Sequence, residues 1–327
     1  MGITRKNVYG YLELKKLRIM KNYFDFTLTG KKFLPLWLVF WFLVVLPYGF
    51  SVKMLTDVDK GGSSSHLYSF LLVGVMIVAL FISFFIIKIT IEGVNYSSRQ
   101  VRFEGKFGTY LGKSALGVFL SIITLTIYMA WFIKDITRFF INKSSLNDSN
   151  FEFHGKGGKL FLLLLVSLYL PIILLSVVIR ILSININQNF IHSYIYQVVT
   201  MIILIPYLYL LYKWMVNISF KEYQLKWQTE IGPSCVKIGI EMLLIIVTLG
   251  IYMPLGYLKL YKYFAEKTIA ESEDKTLRFG FELDAKGDFL FIWGQLLLTL
   301  VTVGIYYPWA YSKIGKRILG KTYIENI

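Results

Sequence analysis

Thr248-Leu249-Gly250-Ile251-Tyr252 ends a long apolar run in this chain of 327 residues, and close copies end two further runs at 124–128 and 302–306. We call this five-residue stretch the Thr-x-x-Ile-Tyr motif. A proline, Pro254 or Pro308, lies two residues after the second and third copies. A stretch that recurs in this way marks a structural unit that is used more than once. Because the copies lie in apolar runs, we expect this unit to lie in a membrane.

The composition indicates a protein that crosses a membrane several times. The chain is 56% hydrophobic and only 17% charged, with a mean hydropathy of +0.58, whereas about a quarter of the residues of a soluble domain are charged. Crossing the hydrocarbon core takes about 20 mostly apolar residues. Six runs approach or exceed that length, at 34–48, 67–87, 160–179, 190–211, 242–258 and 289–311.

The net charge of +15 favours a membrane surface over nucleic acid. Nucleic-acid binding needs Lys and Arg on a folded, water-facing surface, but here they lie in short segments between apolar runs, as cytoplasmic loop residues do. Cys235 is the single cysteine, which excludes an internal disulfide and a cysteine-based metal cluster. The first apolar run follows a basic stretch (Lys15, Lys16, Arg18 and Lys21) and has no cleavage pattern after it. We therefore expect it to be a retained span.

Short segments in which apolar and polar residues alternate precede several of the apolar runs. They lie at 24–31, 101–106, 151–156 and 278–283, with a weaker copy at 225–228. A period of two predicts short strands, and the glycine that follows predicts a turn into a helix.

The spacing of these segments predicts an internal duplication. Gly155 lies 125 residues after Gly30, and Tyr252 lies 124 residues after Tyr128. We therefore predict one membrane domain over 1–327, with a first half at 23–140, a second half at 151–270 and a third, partial copy at 277–321. The expected fold is an all-α polytopic integral membrane protein. It is built from a duplicated helical unit with broken or re-entrant helices and short β-like segments that lead into them.

These features resemble a known bacterial family. The Phe-x-Phe-x-Gly segments, the stretch Thr-Leu-Gly-Ile-Tyr-x-Pro-Trp and the basic residues after it are similar to the YjgN-like inner-membrane proteins (domain of unknown function 898). The resemblance covers most of the chain and is best at 234–316, whereas the first copy of the motif has Thr126 and Ala130 in place of Gly and Pro. The resemblance implies a multi-pass protein of a bacterial inner membrane and no assigned chemistry.

Loop charges leave two topologies open. Both ends of each segment that carries the motif are basic, which favours four spans plus three re-entrant segments that return to the cytoplasmic side. That arrangement places both termini in the cytoplasm and makes the halves a parallel repeat. The alternative is seven full spans, which would place Ile327 outside and make the halves an inverted repeat.

Two polar residues in the apolar runs are candidates for substrate binding. Glu241 lies 11 residues before Tyr252, and Gln295 lies 11 residues before Tyr306. Ionisable residues inside apolar runs are costly and are often functional, so this pair predicts a polar site for a cation, a proton or a headgroup. The alternative interpretation is that Glu241 points to water or to a lysine.

The residues that follow the motif predict contacts with the membrane interface. Gly250 and Gly304 relax the backbone, and Pro254 and Pro308 suit the first turn of a new helix, so we expect a break or hinge there. Aromatic and basic side chains then interleave, as they do at a headgroup boundary. The predicted lipid or interface residues are Tyr252, Tyr306, Trp309, Lys259, Lys262, Lys313 and Arg317.

No catalytic or metal constellation is recognisable in the sequence. The histidines, His66, His192 and His154, have no metal-ligand spacing. The stretch 108–114 is one residue short of a phosphate-binding loop. We therefore expect no enzyme activity, no metal and no cofactor. The leading hypothesis is transport or permeation of a small solute or lipid, and the alternative is a non-transporting protein that organises membrane lipid or a partner protein.

Overall fold

The structure is a computed structural model that describes residues 21–58, 65–181 and 190–326. The basic residues before position 21, the uncharged stretch 183–188 and most of the stretch between the first two predicted spans lie outside these ranges.

Ten helices occur in the described residues, arranged as five consecutive pairs. Their bounds are α1 at 30–58 (Gly30–Phe40, a π-helical turn Trp41–Val45, and Leu46–Val58), α2 Ser65–Glu92, α3 Phe107–Ile123, α4 Met129–Asn142, α5 at 157–181 (Gly157–Leu164, a π-helical turn Leu165–Tyr169, and Leu170–Ile181), α6 Phe190–Met215, α7 Ile231–Val247, α8 Met253–Glu266, α9 Ala285–Val301 and α10 Tyr307–Leu319.

Eleven strands flank these helix pairs. They are β1 Asn22–Phe26, β2 Val94–Tyr96, β3 Arg99–Gln100, β4 Arg102–Phe103, β5 Ser144–Leu146, β6 Ser149–Phe153, β7 Ile218–Phe220, β8 Tyr223–Trp227, β9 Thr268–Glu271, β10 Thr276–Phe281 and β11 Thr322–Asn326. A strand precedes and follows every helix pair, so the order strand, helix, helix, strand occurs five times.

The strands form one antiparallel sheet that closes on itself. Its order is β3-β2-β1-β11-β10-β9-β8-β7-β6-β5-β4. The two end strands, β3 and β4, are separated in the chain by Val101 alone, so the two ends of the sheet meet. The terminal strands β1 and β11 pair in the middle of this order. We call the resulting structure the strand ring.

The predicted all-α fold is therefore wrong, because the strands form a nearly closed barrel. The alternating segments do form strands, as expected, at β1, β4, β6, β8 and β10. Their partners β2, β5 and β7 have only three residues each, too few for a period-two pattern to be recognised. Each partner follows a whole helix pair, so no local pattern indicates the pairing.

The helices form a second closed ring on one side of the strand ring. Each helix packs against the next one in the chain, and α10 packs against α1. Because both helices of a pair are joined to neighbouring strands, every pair leaves the strand ring and returns to it from the same side. The predicted half 23–140 contains α1 to α4, the half 151–270 contains α5 to α8, and the copy 277–321 contains α9 and α10. The duplication itself stays a prediction.

Four helices are long and apolar enough to cross a membrane. They correspond to four of the predicted spans: Gly30–Met54, Phe70–Glu92, Gly157–Ile181 and His192–Met215. Only 6–17% of the residues in their apolar windows are buried inside the protein, so most of this apolar surface needs another cover. Four helices of this length and hydropathy are compatible with a membrane protein.

Both long first helices contain a π-helical turn that a proline explains. Pro47 and Pro171 lack a backbone N–H, and each proline ring would clash with the carbonyl four residues earlier. That carbonyl belongs to Leu43 or to Ser167, and both lie within the π-helical turns. The extra residue in the turn accommodates the proline without breaking the helix.

Five of the six hydrophobic core clusters of the described residues each contain one of five equivalent aromatic residues. Each first strand ends in an aromatic side chain that is at most 6% exposed and packs between helices. These residues, which we call the five strand-end aromatics, are Phe26, Phe103, Phe153, Trp227 and Phe281. Their packing between the helices holds the helix ring against the strand ring.

The Thr-x-x-Ile-Tyr motif is the turn that joins the helices of the three short pairs. In the copy at 248–252, Thr248 Oγ1 donates to the carbonyl of Leu244 and accepts from the N–H of Tyr252. The next two residues have positive φ, +50° at Leu249 and +85° at Gly250. The copies at 124–128 and 302–306 have the same threonine contacts. One helix therefore ends and the next begins at each copy of the motif.

A substitution at Thr126 tests this account of the turn. Thr126 has φ +70° where the other copies have glycine, and a β-branched residue is strained there. We expect Thr126→Gly to stabilise the protein by about 0.5–1 kcal/mol, after the entropy cost of glycine. Thermal unfolding in detergent measures the change. Gly250→Thr is the reciprocal control and should destabilise the protein. If both variants change the free energy of unfolding in the same direction, this account of the turn is wrong.

Candidate functional site

The inner face of the strand ring carries five cross-strand pairs of mainly apolar side chains. Phe24 lies opposite Tyr96, and Phe151 lies opposite Phe220, with ring centroids 4.8 Å and 4.6 Å apart. The same register continues around the ring, since successive residues of a strand face opposite sides of a sheet. The remaining pairs are Leu225 with Ala270, Phe279 with Ile324, and Val101 with Leu146, the last following from the pairing of Phe103 with Ser144.

These pairs surround a cavity of about 740 Å³, which we call the chamber. Nine of the ten paired residues line it, and they come from every part of the ring. At the end where the strands turn, its lining becomes polar and includes Asn22, Arg99, Asn147, Lys221 and Glu222. None of the five strand-end aromatics lines the chamber, although alternation places them on the same face of the strands. The chamber therefore ends before it reaches the layer of strand-end aromatics.

The shape and lining of the chamber suit an apolar or amphipathic small molecule. Ligand cavities of about 300–1,000 Å³ with mostly apolar walls and a few polar groups are typical of small-molecule sites. Aromatic and aliphatic side chains cover the walls, and both charge signs occur at the mouth. Among the described residues, no group of three or more His, Cys, Asp or Glu side chains could hold a metal ion. The chamber can therefore bind a ligand through burial of apolar surface and through shape complementarity.

The structure places Glu241 and Gln295 in separate helix pairs and does not bring them together. Glu241 is 2% exposed, and its carboxylate accepts from Tyr252 Oη at 2.7 Å and from Lys237 Nζ at 2.5 Å. Gln295 Oε1 accepts from Tyr306 Oη at 3.0 Å. The 11-residue offset therefore joins each residue to the tyrosine of its own motif. Neither residue lines the chamber, and their predicted role in substrate binding stays a prediction.

The first copy of the motif lacks this tyrosine contact. Gly117 occupies the position that corresponds to Glu241, and a side chain there would collide with the ring of Phe132. Tyr128 instead stacks on Trp131, with centroids 6.2 Å apart.

Two of the three predicted interface lysines lie over the motif tyrosines. Lys259 Nζ is 5.3 Å from the centroid of the Tyr252 ring, and Lys313 Nζ is 5.5 Å from that of Tyr306. Lys313 also donates to Tyr306 Oη at 2.9 Å. Each lysine can stabilise the tyrosine that binds the buried polar residue.

The other predicted interface residues make contacts within the protein. Trp309 stacks on Tyr306 at 5.9 Å and lies against Gly30, where a Cβ atom would collide with it. Lys262 pairs with Glu266 at 3.6 Å on the same helix. Arg317 binds the buried carboxylate of Asp288. Pro254 and Pro308 lie in the first turns of α8 and α10.

Two tryptophans cover polar backbone groups of the motif. Trp293 Nε1 donates to the carbonyl of Ile251 at 2.9 Å, and Trp37 Nε1 donates to the carbonyl of Gly304 at 2.9 Å. Each indole comes from the first helix of the next pair around the ring. In each of these two turns, a side chain from the next helix pair therefore satisfies one backbone carbonyl.

Comparison with known proteins identifies one family. Residues 98–229 match the sequence profile of the family described as "Bacterial protein of unknown function (DUF898)", which confirms the resemblance predicted from the sequence. The matched region runs from the turn before β3 to just beyond β8. It differs from the stretch 234–316, where we expected the best resemblance. No curated protein and no solved structure matches the chain.

Proposed function

We propose that this protein is a multi-pass protein of a bacterial inner membrane that moves an apolar or amphipathic small solute, lipid included, through its two rings. The strand ring and both termini would lie on the cytoplasmic side, since Lys and Arg are enriched there. The observation that carries the proposal is the apolar chamber of about 740 Å³ inside the strand ring.

The arrangement of the two rings supports a route through the molecule. The helix ring and the strand ring share the same cyclic order of elements, so both surround one axis. The chamber would be the cytoplasmic vestibule of the route. The five strand-end aromatics would form its constriction, in the way that hydrophobic constrictions close channels.

Satisfied backbone groups support the placement of the three short pairs inside the bilayer. Backbone that bends at membrane depth is tolerated only where protein or water satisfies its polar groups. Trp293 and Trp37 do this for two of the turns. The short first helices α3, α7 and α9 have 17 residues each, fewer than the roughly 20 needed to cross. We therefore propose four spans and three pairs that dip into the membrane and return.

Filling the chamber tests the proposed route. Ala270 has the smallest side chain among the paired residues and is 4% exposed, so Ala270→Trp places an indole in the chamber. The full chain is reconstituted in liposomes, and two fluxes are measured: translocation of a fluorescent phospholipid and efflux of small neutral solutes. We expect each flux that the wild type supports to fall at least about tenfold, because the indole occupies the cavity.

A matched variant controls for the added bulk. Glu152→Trp adds the same side chain next to Phe151 on the outer, exposed face of the ring, and should change flux by less than about twofold. If liposomes that contain the wild-type protein show no faster flux than protein-free liposomes, the transport proposal is overturned and the lipid-organising alternative is favoured. Equal flux in the wild type and in Ala270→Trp would show that the chamber is not the route.

A further inference from the structure

A second cavity, of about 750 Å³, lies between α5, α6 and β8. We call it the basic groove. Four lysines line it: Lys156 and Lys159 at the start of α5, Lys213 in the last turn of α6, and Lys226 on β8. Among the residues that the structure describes, no acidic side chain lines it. The groove is thus formed by the start of α5, the end of α6 and the strand β8.

The charge of the groove is mostly uncompensated. Lys226 pairs with Glu271 at 2.7 Å, but Lys156, Lys159 and Lys213 have no ion pair with any described residue. Trp214 Nε1 donates to the carbonyl of Lys156 at 3.2 Å, which holds the turn before α5 in place. Three cations that converge on one cavity without a counterion favour an anionic ligand.

The other half of the groove is apolar and runs along a membrane span. Leu162 and Val166 line it and are 60% and 55% exposed. Val166 lies seven residues beyond Lys159 on α5, which is about 10 Å deeper at 1.5 Å per residue. Both residues belong to the span Gly157–Ile181. The groove therefore changes from basic at the membrane boundary to apolar within the bilayer.

We infer that the basic groove binds one anionic phospholipid from the cytoplasmic leaflet. Its phosphate would contact Lys156, Lys159 and Lys213, and an acyl chain would lie along Leu162 and Val166. A free anion would use only the basic half, whereas a phospholipid matches both halves and is present wherever the protein is embedded. The inference requires that the chain lies in a membrane, but it does not depend on transport through the strand ring.

Lipid binding to the full chain in neutral detergent tests the inference. Native mass spectrometry measures the affinity for phosphatidylglycerol and for zwitterionic phosphatidylcholine. We expect the wild type to prefer phosphatidylglycerol. In the variant Lys156→Gln/Lys159→Gln/Lys213→Gln its affinity should fall at least about tenfold, because each lysine near an anionic headgroup contributes to binding.

A matched control removes the same charge elsewhere. Lys31, Lys32 and Lys106 are exposed lysines at the starts of α1 and α3, and they line neither the chamber nor the basic groove. Changing all three to glutamine should lower the affinity by less than about twofold. An equal loss in both triple variants would reduce the effect to general surface charge and overturn the site. Unchanged melting temperatures would show that the variants still fold. The single variant Lys213→Gln should lose less affinity for phosphatidylglycerol than the triple variant.

A third variant separates a bound lipid from a bound anion. Val166→Trp fills the apolar half and leaves every charge in place, so phosphatidylglycerol should bind several-fold more weakly. Inorganic phosphate should displace the lipid poorly, because it lacks an acyl chain. Unchanged affinity in Val166→Trp, together with ready displacement by phosphate, would show a simple anion site and overturn the lipid assignment.

Discussion

Trp227→Ala is expected to destabilise the protein by about 3–5 kcal/mol, the cost of removing a large aromatic side chain from a packed core. Trp227 is one of the five strand-end aromatics and is 6% exposed. Its ring lies 4.8–5.2 Å from the centroids of Tyr209, Tyr212 and Phe264. The substitution would open a cavity between α6, α8 and the strand ring. At the unfolding entropy per residue of globular proteins, the melting temperature should fall by about 4–7 °C.

Trp227→Phe is the matched control, because the other four strand-end aromatics are phenylalanines. The indole N–H of Trp227 is buried and has no hydrogen-bond partner among the described residues. Phenylalanine removes that unsatisfied donor, which offsets part of the lost volume. We expect a cost below about 1 kcal/mol. Thermal unfolding followed by circular dichroism measures both variants, and similar losses in Ala and Phe would contradict the packing argument.

Features with a local cause could be predicted from the sequence. The tyrosines of the second and third motifs lie 11 residues after a polar residue, about three helical turns, and the structure joins Tyr252 to Glu241 and Tyr306 to Gln295. The break at the motif was also predictable, because Gly250 and Gly304 permit positive φ. The first strands were predictable because Phe24 and Phe26, or Phe151 and Phe153, alternate with polar residues over enough positions.

The closure of the strand ring could not be predicted. It depends on pairs such as Phe24 with Tyr96, which lie 72 residues apart, and Tyr23 with Tyr323, which lie 300 apart. Short strands such as Ser144–Leu146 contain no pattern of their own. The all-α prediction treated each alternating segment as an isolated lead into a helix, and so left its hydrogen bonds without partners. Asking where those backbone groups are satisfied would have indicated a sheet.

The chamber was missed for the same reason. Its lining includes Tyr96, Leu146, Ala270 and Ile324, which have neither a residue type nor a spacing in common. They share only a position in the register of the closed ring. The basic groove was missed because the sequence separates Lys159 from Lys213 by a complete helix pair. Charge counts indicated the side of the membrane but not the convergence of these lysines.

Asp288 stands out among five equivalent helix positions. It is the fourth residue of α9, and the fourth residues of α1, α3, α5 and α7 are uncharged and at most 3% exposed; these are Phe33, Tyr110, Leu160 and Ser234. Asp288 is 1% exposed, and its carboxylate accepts from Arg317 Nε at 2.6 Å and from Lys321 Nζ at 2.5 Å. It also accepts from the N–H of Asp284 at 2.9 Å. These contacts compensate a charge in a position that is otherwise apolar or neutral.

Asp288→Ala is expected to destabilise the protein by about 3 kcal/mol, because it leaves Lys321 without an ion pair and Arg317 with only the longer contact to Asp284, at 3.9 Å. Burial opposes ionisation of Asp288, but the hydrogen bonds from Lys321 and Arg317 outweigh it and lower the pKa of the carboxyl group. A lowered pKa in the folded state means that the ionised form adds stability at a pH above the unfolded value of about 3.9. That contribution is lost as the pH falls through the lower pKa of the folded protein.

The pH dependence distinguishes this charge effect from simple loss of packing. The difference in melting temperature between wild type and Asp288→Asn should be constant from pH 7 to about 5 and should shrink below about pH 4. The control is Asp148→Asn, which removes an exposed carboxylate whose side chain is 91% accessible beside Arg102, and which should stay within about 0.5 kcal/mol of wild type. A difference for Asp288→Asn that persists unchanged at low pH would show that the carboxylate acts by shape, and that its charge does not stabilise the joint between α9 and α10.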